Sequence, residues 1–305
     1  MGELLAEIMR AEAGVSLGRR GGFVGPFPSG APGIFIDTAA RLGHSAAIVS
    51  GVGDDAFGEM ILERLGRDGV ELGLVEVAPG RSTGTAFIGY EPDGSREYLF
   101  HWDDTPAVMA QVPSDGAAEG ARFFHVMGCS LMANMEFAAR IVDTARLFHA
   151  AGARITFDPN IRVELLAGRD LDDIMRPLLG LTSVLLPSEP ELLALGGTGD
   201  IDDAAAKLLE MHGLEAVVVK RGAAGSTVYA ADTRTDIGAF PAEEIDPTGA
   251  GDCFDAGFVC GLLDGDSLED AARQGAAVGA LSVGGFGPME GDISPRSVAR
   301  LLAAR

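Results

Sequence analysis

The sequence predicts an α/β protein in which a parallel β-sheet is covered by helices, with a smaller β-sheet beside it as a lid. From residue 123 onward, short continuous apolar runs alternate with amphipathic stretches of helical length, a pattern typical of a parallel sheet buried on both faces. Earlier in the chain, the β-prone runs 85–90 and 96–100 flank Pro92-Asp93-Gly94-Ser95, which is a hairpin signal. Together the two patterns indicate one large sheet and one small one.

The composition narrows the possible functions. With 305 residues and a formal net charge of −22, the chain can build a large core and does not fit a nucleic-acid partner. No run is apolar and long enough to span a bilayer, so no membrane association is expected. The three cysteines are odd in number and lack a CxxC spacing, which argues against a disulfide framework or a zinc site and predicts a cytoplasmic protein.

The first third of the chain predicts the lid and two helices. Because the chain begins almost at Glu3, with few apolar residues ahead of this first acid, we expect the native reading frame to begin further upstream. A lid sheet built from about residues 11–28 and 83–104 is expected outside the main body, within a single domain that spans residues 1–305. The other predicted elements are a strand at 2–9, a Gly- and Pro-rich loop at 14–33, a helix from Ile34 to Leu42 ending at Gly43, a strand at 46–50, a turn at 51–55 and a helix from Phe57 to Leu65.

The predicted large sheet indicates where ligands bind, because ligands of such sheets lie outside the carboxyl ends of the strands. The predicted strands are 123–127, 154–157, 183–186 and 216–219, the helices are 136–150, 171–179, 189–195 and 202–212, and a further hairpin pairs 226–230 with 237–240. Polar residues that follow these strands are therefore candidates for a site: Asp158, Asn160, Arg162, Ser188, Glu189, Glu191, Lys220 and Arg221.

The stretch Asp246-Pro247-Thr248-Gly249-Ala250-Gly251-Asp252 carries the strongest functional signal. Its proline and glycines bar a helix before it, so a helix should begin near Gly251 or Asp252. Small residues there leave backbone N–H groups free to face an anion, and Asp252 in the first turn stays ionised beside them. Phosphoryl transfer needs that pairing, because donors must hold the developing charge while a base accepts the proton of the attacking hydroxyl. The alternative is a Gly-rich turn with an Asp cap.

Two common nucleotide-binding motifs are missing from the sequence. It contains no GxxxxGK[ST] P-loop, and Gly222 and Gly225 lack the GxGxxG order of a dinucleotide site. His125 lies within an apolar strand and is expected to be a core histidine, and Met127-Gly128-Cys129-Ser130 after it is expected from its position to line a pocket.

Two further residues have both a structural and a functional interpretation. Arg162 is either a solvated surface residue or a phosphate contact, and its position beside Asp158 and Asn160 favours phosphate. Glu191 is either an acid on a helix face or the carboxylate that helps to bind Mg²⁺, which needs only one or two protein carboxylates and often binds them through water.

The order of these motifs resembles the ribokinase-like, or PfkB-type, carbohydrate kinases over nearly the whole chain. The matching segments are Gly2-Glu3, Ser29-Gly30-Ala31-Pro32 before a helix ending Ala40-Arg41-Leu42-Gly43, Gly53-Asp54-Asp55-Ala56-Phe57-Gly58, Ser82-Thr83-Gly84, Asp158-Pro159-Asn160 with Arg162, and 246–252. The segment 246–252 is the most specific signature of that family.

The resemblance implies a Rossmann-like α/β body with a small β-sheet lid. It also implies transfer of the ATP γ-phosphoryl group to a sugar hydroxyl, with Mg²⁺ and a monovalent cation such as K⁺ as cofactors. Many members pair through the lid, so a homodimer is expected.

The resemblance further implies roles for individual residues. Asp252 would be the general base, the backbone of Gly249, Ala250 and Gly251 the anion hole, and Arg162 a further catalytic contact. The implied sugar contacts are Glu7, Gly30, Ala31, Gly33, Asp54 and Asp252. The implied ATP contacts are Asn160, Ser188, Lys220, Gly222, Gly225, Thr248, Gly249, Gly251, Ala276 and Gly279. Glu191 would hold Mg²⁺ indirectly, and the monovalent-cation site would comprise Asp246, Thr248, Ser282, Gly285 and Gly287.

The sequence departs from the family pattern at two of these positions. The family usually has Asn where Gly33 and Ser188 stand, so one polar sugar contact is missing and the network around metal and phosphate is weaker. The segment Gly25-Pro26-Phe27-Pro28-Ser29-Gly30 is similar to that of members acting on ketohexoses, which makes tagatose or fructose the expected substrate. A 2-keto-3-deoxygluconate, ribose or nucleoside kinase and a non-catalytic sugar-sensing homologue remain as alternatives. A nucleoside would need aromatic residues that stack on its base, and Phe23, Phe27 and Trp102 are the candidates.

Overall fold

The computed structural model describes residues 1–92, 95–231 and 233–304. The strands are β1 (Leu5–Arg10), β2 (Phe23–Ser29), β3 (Ser50–Gly53), β4 (Val75–Ala78), β5 (Gly84–Tyr90), β6 (Arg96–His101), β7 (Phe123–Met127), β8 (Arg154–Asp158), β9 (Val184–Leu185), β10 (Ala216–Lys220), β11 (Ser226–Ala230) and β12 (Thr233–Ile237). The helices are α1 (Ala31–Arg41), α2 (Ala56–Arg67), α3 (Pro106–Met109), α4 (Gly128–Leu131), α5 (Met135–Ala150), α6 (Val163–Leu166), α7 (Leu171–Leu179), α8 (Glu189–Gly196), α9 (Ile201–His212), α10 (Ala250–Asp264), α11 (Leu268–Ser282) and α12 (Pro295–Ala303).

A six-stranded sheet in the order β12-β11-β10-β9-β8-β7 forms the body. Strands β7 to β10 are parallel, and β11 and β12 continue the sheet as an antiparallel hairpin. Alternate side chains of β10 enter two apolar clusters. Val218 belongs to the cluster that includes residues of α1, α10 and α11, whereas Val217 and Val219 belong to the one that includes residues of α5, α7 and α9. The predicted parallel sheet with helices on both faces is therefore confirmed.

A separate four-stranded sheet in the order β2-β1-β5-β6 forms the lid. The lid is as predicted, but part of it comes from other residues. β1 is antiparallel to β2 and parallel to β5, so the predicted first strand belongs to the lid rather than to the parallel sheet. Residues 11–22, all of them described, form no strand, because they are rich in Gly and lack alternating apolar residues.

The hairpin of β5 and β6 is confirmed. The two strands are antiparallel, and Tyr90 lies opposite Arg96 at the end of the pairing. Asp93 and Gly94, the centre of the predicted turn, lie outside the described residues. The hairpin brings alternate residues of β6 to one face of the lid, which matters for the site below.

Two predicted strands are displaced along the chain. The strand expected at 46–50 is β3, which begins at Ser50 and ends at Gly53 where a turn was predicted. Its glycines serve close packing, because a Cβ at Gly51 would lie 2.6 Å from the Pro106 carbonyl oxygen. The hairpin strand expected at 237–240 is β12 at Thr233–Ile237, an edge strand whose exposed polar residues do not give an apolar signal.

Most predicted helices begin within one residue of the expected position, and α1 begins three residues early. α1 starts at Ala31 rather than Ile34, because the first turn accommodates Pro32. α10 starts at Ala250 rather than at Gly251 or Asp252, directly after Gly249 in a left-handed conformation. Among the described residues, no helix has both the length and the apolar character needed to cross a lipid bilayer.

Candidate active site

The N-terminus of α10 separates two cavities. Gly249, the N-cap, has a φ of 78°, and a Cβ there would lie 2.9 Å from the Pro288 carbonyl oxygen, so only glycine fits without strain. Ala250 and Gly251 line a cavity of about 660 Å³, whereas Gly249 and Asp252 line one of about 70 Å³. We refer to these as the larger and the smaller cavity.

The first turn of α10 offers backbone donors at this boundary. The amide N–H of Cys253 donates to the Gly249 carbonyl at 2.8 Å, which is the first bond of the regular helix, and the N–H of Ala250 makes a longer bond of 3.3 Å to the Pro247 carbonyl. The N–H groups of Gly251 and Asp252 precede the regular helical pattern. This end of the helix can therefore hold an anion, as the sequence predicts.

Asp252 is buried in the first turn of α10, with 7% of its surface exposed. Asn160, which follows β8 in a left-handed conformation, donates from Nδ2 to Asp252 Oδ1 at 3.2 Å and to Asp158 Oδ2 at 3.1 Å. Burial raises the pKa of Asp252 to about 7, the charge of Asp158 adds to this rise, and Lys220 and Arg162 oppose it. A carboxylate with that pKa is suited to accept a proton near neutral pH.

Lys220 lies between two buried carboxylates at the end of β10. Its Nζ donates to Asp158 Oδ2 at 2.9 Å and to Asp255 Oδ2 at 2.8 Å. Burial alone would lower the pKa of Lys220, but the charges of Asp158 and Asp255 outweigh it and raise the pKa above its ordinary value. The sequence analysis gave Asp255 no role; the only signal was its position three residues after Asp252 on one face of a helix.

Two residues that line the smaller cavity each carry a polar acceptor with no hydrogen-bond partner among the described residues. Glu7 Oε2 accepts from Ser29 Oγ at 2.7 Å, while Glu7 Oε1 and Asn160 Oδ1 are buried and unpartnered among the described residues. Burial raises the pKa of Glu7 to about 7. Because buried acceptors are costly unless they are paired, these atoms fit a ligand that carries hydroxyl groups.

The smaller cavity includes most of the residues predicted to contact a sugar. Glu7, Gly30, Ala31 and Asp252 line it. Gly33 and Asp54 are not among the described residues that do so. Gly33 lies inside α1, where a Cβ would lie 2.9 Å from a Leu4 methyl group, and Asp54 is exposed after the end of β3.

Most of one wall of the smaller cavity was not predicted from the sequence. Four of its side chains come from β6 and the residue that follows it, at every second position, which is the alternation of a strand. That alternation was visible, but the sequence did not show which face of the lid is turned to the body. The four are Arg96, Tyr98, Phe100 and Trp102, of which only Trp102 was considered from the sequence, as an aromatic that could stack on a nucleoside. Cys129, from the segment expected to line a pocket, and Glu3 line the cavity as well.

Arg162 also lines the smaller cavity, as expected for a residue that contacts the reacting groups. Its guanidinium carbon lies 5.5 Å from the centroid of the Tyr98 ring, and Nη1 donates to the Ile161 carbonyl at 3.2 Å. Among the described residues, neither Arg162 nor Arg96 has a carboxylate close enough for an ion pair.

The larger cavity has the character of a nucleotide site. Phe240, Pro241 and Val283 give it an apolar part that suits a flat base, while Lys220 and the N-terminus of α10 suit phosphates. Seven of the residues predicted to contact ATP line it: Ser188, Lys220, Gly222, Gly225, Gly251, Ala276 and Gly279. The other three, Asn160, Thr248 and Gly249, line the smaller cavity instead, because they lie on the opposite side of the helix end.

Glu191, the predicted magnesium residue, is held in a fixed orientation. Its Oε1 accepts from the Ile161 N–H at 2.7 Å, and its Oε2 accepts from the Ser188 N–H at 2.7 Å and the Ser188 hydroxyl at 2.6 Å. The bond from the Ser188 N–H is one half of the capping box of α8, and the other two bonds add to its restraint on the Glu191 side chain. An oriented carboxylate with remaining lone pairs fits a Mg²⁺ ion that is bound through water. The magnesium role of Glu191 stays a prediction.

The predicted monovalent-cation residues lie in the loop before α10 and at the end of α11 with the loop after it. Asp246 connects the two regions by hydrogen bonds. Asp246 Oδ1 accepts from the Thr248 N–H at 2.9 Å, and Oδ2 accepts from the Gly287 N–H at 3.0 Å. At Gly285 a Cβ would lie 2.5 Å from the backbone of Glu290, and Ser282 Oγ donates to the Gly279 carbonyl at 2.8 Å. The described residues hold no cluster of three or more His, Cys, Asp or Glu that would suit a metal, but oxygen atoms of these loops suit a hard monovalent ion.

A third cavity of about 440 Å³ lies apart from these two and includes none of the predicted site residues in its described lining. His125 lines it, stacks on Phe35 with 4.0 Å between ring centroids, and bonds through Nδ1 to Thr156 Oγ1 at 2.8 Å. These contacts agree with a structural role for His125.

Comparison with known proteins identifies what this arrangement is similar to. The model of the family described as "pfkB family carbohydrate kinase" matches residues 26–294. Probable fructokinase-4 of Arabidopsis thaliana is 30% identical over 279 residues, which cover 89% of this chain and 84% of that protein. Fructokinase-2 of Solanum lycopersicum is 31% identical over 277 residues, with the same coverage of 89% and 84%.

Among solved structures, a putative ribokinase II from E. coli in complex with ATP and Mg²⁺ superimposes with a TM-score of 0.92. It is 35% identical, and the match covers 100% of this chain and 98% of that one. The predicted ribokinase-like fold is therefore confirmed.

Proposed function

Because this chain belongs to the pfkB family of carbohydrate kinases, we propose that it transfers the γ-phosphoryl group of ATP to a hydroxyl group of a ketohexose such as fructose or tagatose. Membership makes it a phosphotransferase with an alcohol group as acceptor. The observation that carries the proposal is the arrangement at the N-terminus of α10, where Gly251 lines the larger cavity and Asp252 lines the smaller one. ATP in the larger cavity and a sugar in the smaller one would meet at that point.

The proposed reaction can be followed atom by atom. The acceptor hydroxyl gives its proton to Asp252 while its oxygen forms a bond to the γ-phosphorus. The bond between that phosphorus and the β–γ bridging oxygen breaks, and ADP leaves. The N–H groups of Gly249, Ala250 and Gly251 hold the developing charge, with the Ala250 N–H exchanging its long bond to the Pro247 carbonyl for one to the phosphoryl group. Arg162 contributes a cation from the acceptor side.

Two metal ions complete the proposal. Mg²⁺, when bound, would neutralise part of the triphosphate charge. We propose that the oriented carboxylate of Glu191 holds this ion through water. A monovalent cation such as K⁺, when bound, would add positive charge near the end of α10. The residues that we propose for this second ion are Asp246, Thr248, Ser282, Gly285 and Gly287.

Two observations support a ketohexose. The relatives named fructokinase are 30–31% identical to this chain over 89% of its length. The smaller cavity combines the unpartnered Glu7 Oε1 and Asn160 Oδ1 with the aromatic walls Phe100 and Trp102, a combination that suits the hydroxyl groups and apolar ring faces of a sugar.

A sugar acid such as 2-keto-3-deoxygluconate is the second candidate. Arg96 and Arg162 both line the smaller cavity and form no ion pair with a described carboxylate. Two such guanidinium groups would suit an acceptor that carries a carboxylate.

A coupled ADP-release assay over ketoses, aldoses, sugar acids and nucleosides, with Mg²⁺ and K⁺ present, tests the proposal. We expect the highest kcat/KM with fructose or tagatose. The highest value with a sugar acid would favour the second candidate, and the highest with ribose or a nucleoside would contradict both. Binding without turnover on every compound would indicate a non-catalytic sensor and contradict the kinase proposal.

We also propose that two chains pair through the lid. On the face turned away from the smaller cavity, Phe23 and Leu99 are each 45% exposed, and the Phe23 ring lies edge-on to Phe87 at 5.9 Å. An exposed apolar patch of this kind is typical of an interface. Light scattering of the wild-type chain and of Leu99→Asp tests this proposal. We expect the wild-type chain to be a dimer and Leu99→Asp to be a monomer. A monomeric wild-type chain would contradict the proposal.

We place the protein in the cytoplasm. Cys129, Cys253 and Cys260 are all buried and unpaired, which suits a reducing compartment. Detection of the native protein in a secreted fraction would contradict this location.

A further inference from the structure

Tyr90 extends from the lid to the loop that precedes α10. Its hydroxyl oxygen lies 3.0 Å from Asp246 Oδ1 and 2.7 Å from Thr248 Oγ1. A phenol has one proton to donate, and an ionised carboxylate can only accept. Tyr90 therefore donates to Asp246 and accepts from the hydroxyl of Thr248, so both hydrogen-bonding functions of its hydroxyl are used.

The two partners of Tyr90 set the position of the helix end. Asp246 also accepts from the N–H groups of Thr248 at 2.9 Å and Gly287 at 3.0 Å. Thr248 is the residue directly before Gly249, the N-cap of α10. A shift of Tyr90 would thus act on the backbone that we propose to hold the transferring phosphoryl group.

The other side of Tyr90 faces a residue of the smaller cavity. In the β5–β6 pairing Tyr90 lies opposite Arg96, whose guanidinium carbon is 5.7 Å from the centroid of the Tyr90 ring. Arg96 lines the smaller cavity and donates from Nη1 to the Tyr98 hydroxyl at 3.3 Å. A molecule that fills this cavity would contact the neighbours of Tyr90 on the lid.

We infer that Tyr90 is a positioning residue that couples occupation of the smaller cavity to the placement of the backbone donors at the start of α10. Through it, a bound acceptor restrains the 246–252 segment in the arrangement that the structure shows. The inference rests on the proposed function, since it takes the smaller cavity as the acceptor site. The inference adds to the proposed function a residue, Tyr90, that lies outside the sequence motifs. It also gives the lid a second role, in placing the donors, besides enclosing the sugar.

The test compares Tyr90→Phe with a matched control, Tyr229→Phe. Tyr229 is also a tyrosine whose hydroxyl donates to a carboxylate, Asp202 Oδ1 at 2.6 Å, but it lines neither of the two cavities. Kinetics use ATP and D-fructose, or the fastest acceptor of the panel if that is another compound. Amide hydrogen exchange of the 246–252 segment is measured with and without the same acceptor.

For Tyr90→Phe we expect kcat to fall about tenfold. The variant loses the hydrogen bond from the Tyr90 hydroxyl to the charged Asp246, and a loss of this size is typical for such a bond when it supports the transition state. The KM for ATP should change less than about twofold, because Tyr90 does not line the larger cavity. The acceptor should still bind in calorimetry, but it should no longer slow amide exchange in the 246–252 segment. Tyr229→Phe should match the wild type in all these measurements.

A merely structural role for Tyr90 predicts a different result. Equal losses in kcat and in both KM values, together with a lower melting temperature, would overturn the inference. So would an active wild type whose Tyr90→Phe variant keeps its kcat within twofold and its acceptor-dependent protection. A wild type that turns over no compound of the panel would instead contradict the proposed function, and the inference with it.

A double-variant cycle provides a second readout. If Tyr90 acts through Thr248, the loss in kcat from Tyr90→Phe combined with Thr248→Val should not exceed the larger of the two single losses by more than about twofold. A combined loss equal to the product of the two single losses would show that the residues act independently and would overturn the coupling.

Discussion

Replacing Asp252 with Asn tests the proposed base with the smallest change of shape. The amide is isosteric with the carboxylate but cannot accept a proton at neutral pH. Its oxygen can still accept the bond that Asn160 Nδ2 now donates to Asp252 Oδ1 at 3.2 Å. Binding of ATP and acceptor should therefore change little, and we expect both KM values to stay within about threefold of the wild type.

The loss in rate follows from the role of a general base. Positioned bases contribute roughly 10²–10⁴-fold, so we expect kcat to fall about 10³-fold, or ~4 kcal/mol in the activation free energy. Because burial raises the pKa of Asp252 to about 7, kcat/KM of the wild type should rise tenfold per pH unit below about 7 and level off above it. The variant should lose this dependence.

The same pKa makes a prediction about stability. A carboxyl whose pKa rises from 3.8 in the unfolded chain to about 7 in the fold stabilises the fold only while it is protonated. That stability is fully present below about pH 4 and is lost as the pH rises to about 7, at a cost of ~4 kcal/mol. Asn stays neutral, so Asp252→Asn should unfold later than the wild type at pH 8 and equally at pH 4.

The assay is ADP release from pH 5.5 to 8.5 together with thermal unfolding at the two pH values. A variant whose kcat lies within tenfold of the wild type would refute the assignment of the base. A variant that is less stable than the wild type at pH 8 would refute the reasoning about the buried charge, even if its activity is lost.

Three further changes probe the rest of the site. Glu7→Gln should raise the acceptor KM about tenfold and leave the ATP KM unchanged, because it alters the unpartnered Oε1; steady-state kinetics with an unaltered acceptor KM would contradict this. Gly251→Val should raise the ATP KM at least tenfold at an unchanged melting temperature, because its Cβ would meet only Lys220 Nζ, at an ordinary contact distance of 3.8 Å; unimpaired ATP binding in calorimetry would count against a phosphate position there. Lys220→Met should lower the free energy of unfolding by about 3–5 kcal/mol, since it leaves Asp158 and Asp255 buried without their cation; urea unfolding that matches the wild type would show that the pair is not buried as described.

The sequence was sufficient for the parallel sheet and for the centre of the site. β7 and α7 have the predicted bounds, because each is a strongly patterned apolar segment between clear breakers. Residues after separate strands, such as Asp158 and Lys220, lie together because the carboxyl ends of parallel strands share one edge. The motif at 246–252 needed no tertiary information, since its small residues and its acid are consecutive.

The elements that were missed depend on tertiary contacts. β3 was displaced because Gly51 resembles a turn residue in sequence, whereas its role is close packing against Pro106. Arg96 was missed because alternation shows that a strand has two faces and not which of them meets the body. Asp255 pairs with Lys220 from an element 35 residues away, and its position three residues after Asp252 does not by itself distinguish it from a solvated helix acid.

The central claim is that the start of α10 holds the phosphoryl group during transfer, with the base on one side and the nucleotide on the other. A crystal structure with ADP, aluminium fluoride and the preferred acceptor tests it most directly. We predict that the fluoride group will lie about 3 Å from the N–H groups at Gly249–Gly251 and that an acceptor hydroxyl will lie about 3 Å from the Asp252 carboxylate. A fluoride group bound away from this helix end, or an acceptor whose hydroxyls all lie beyond reach of Asp252, would contradict the claim.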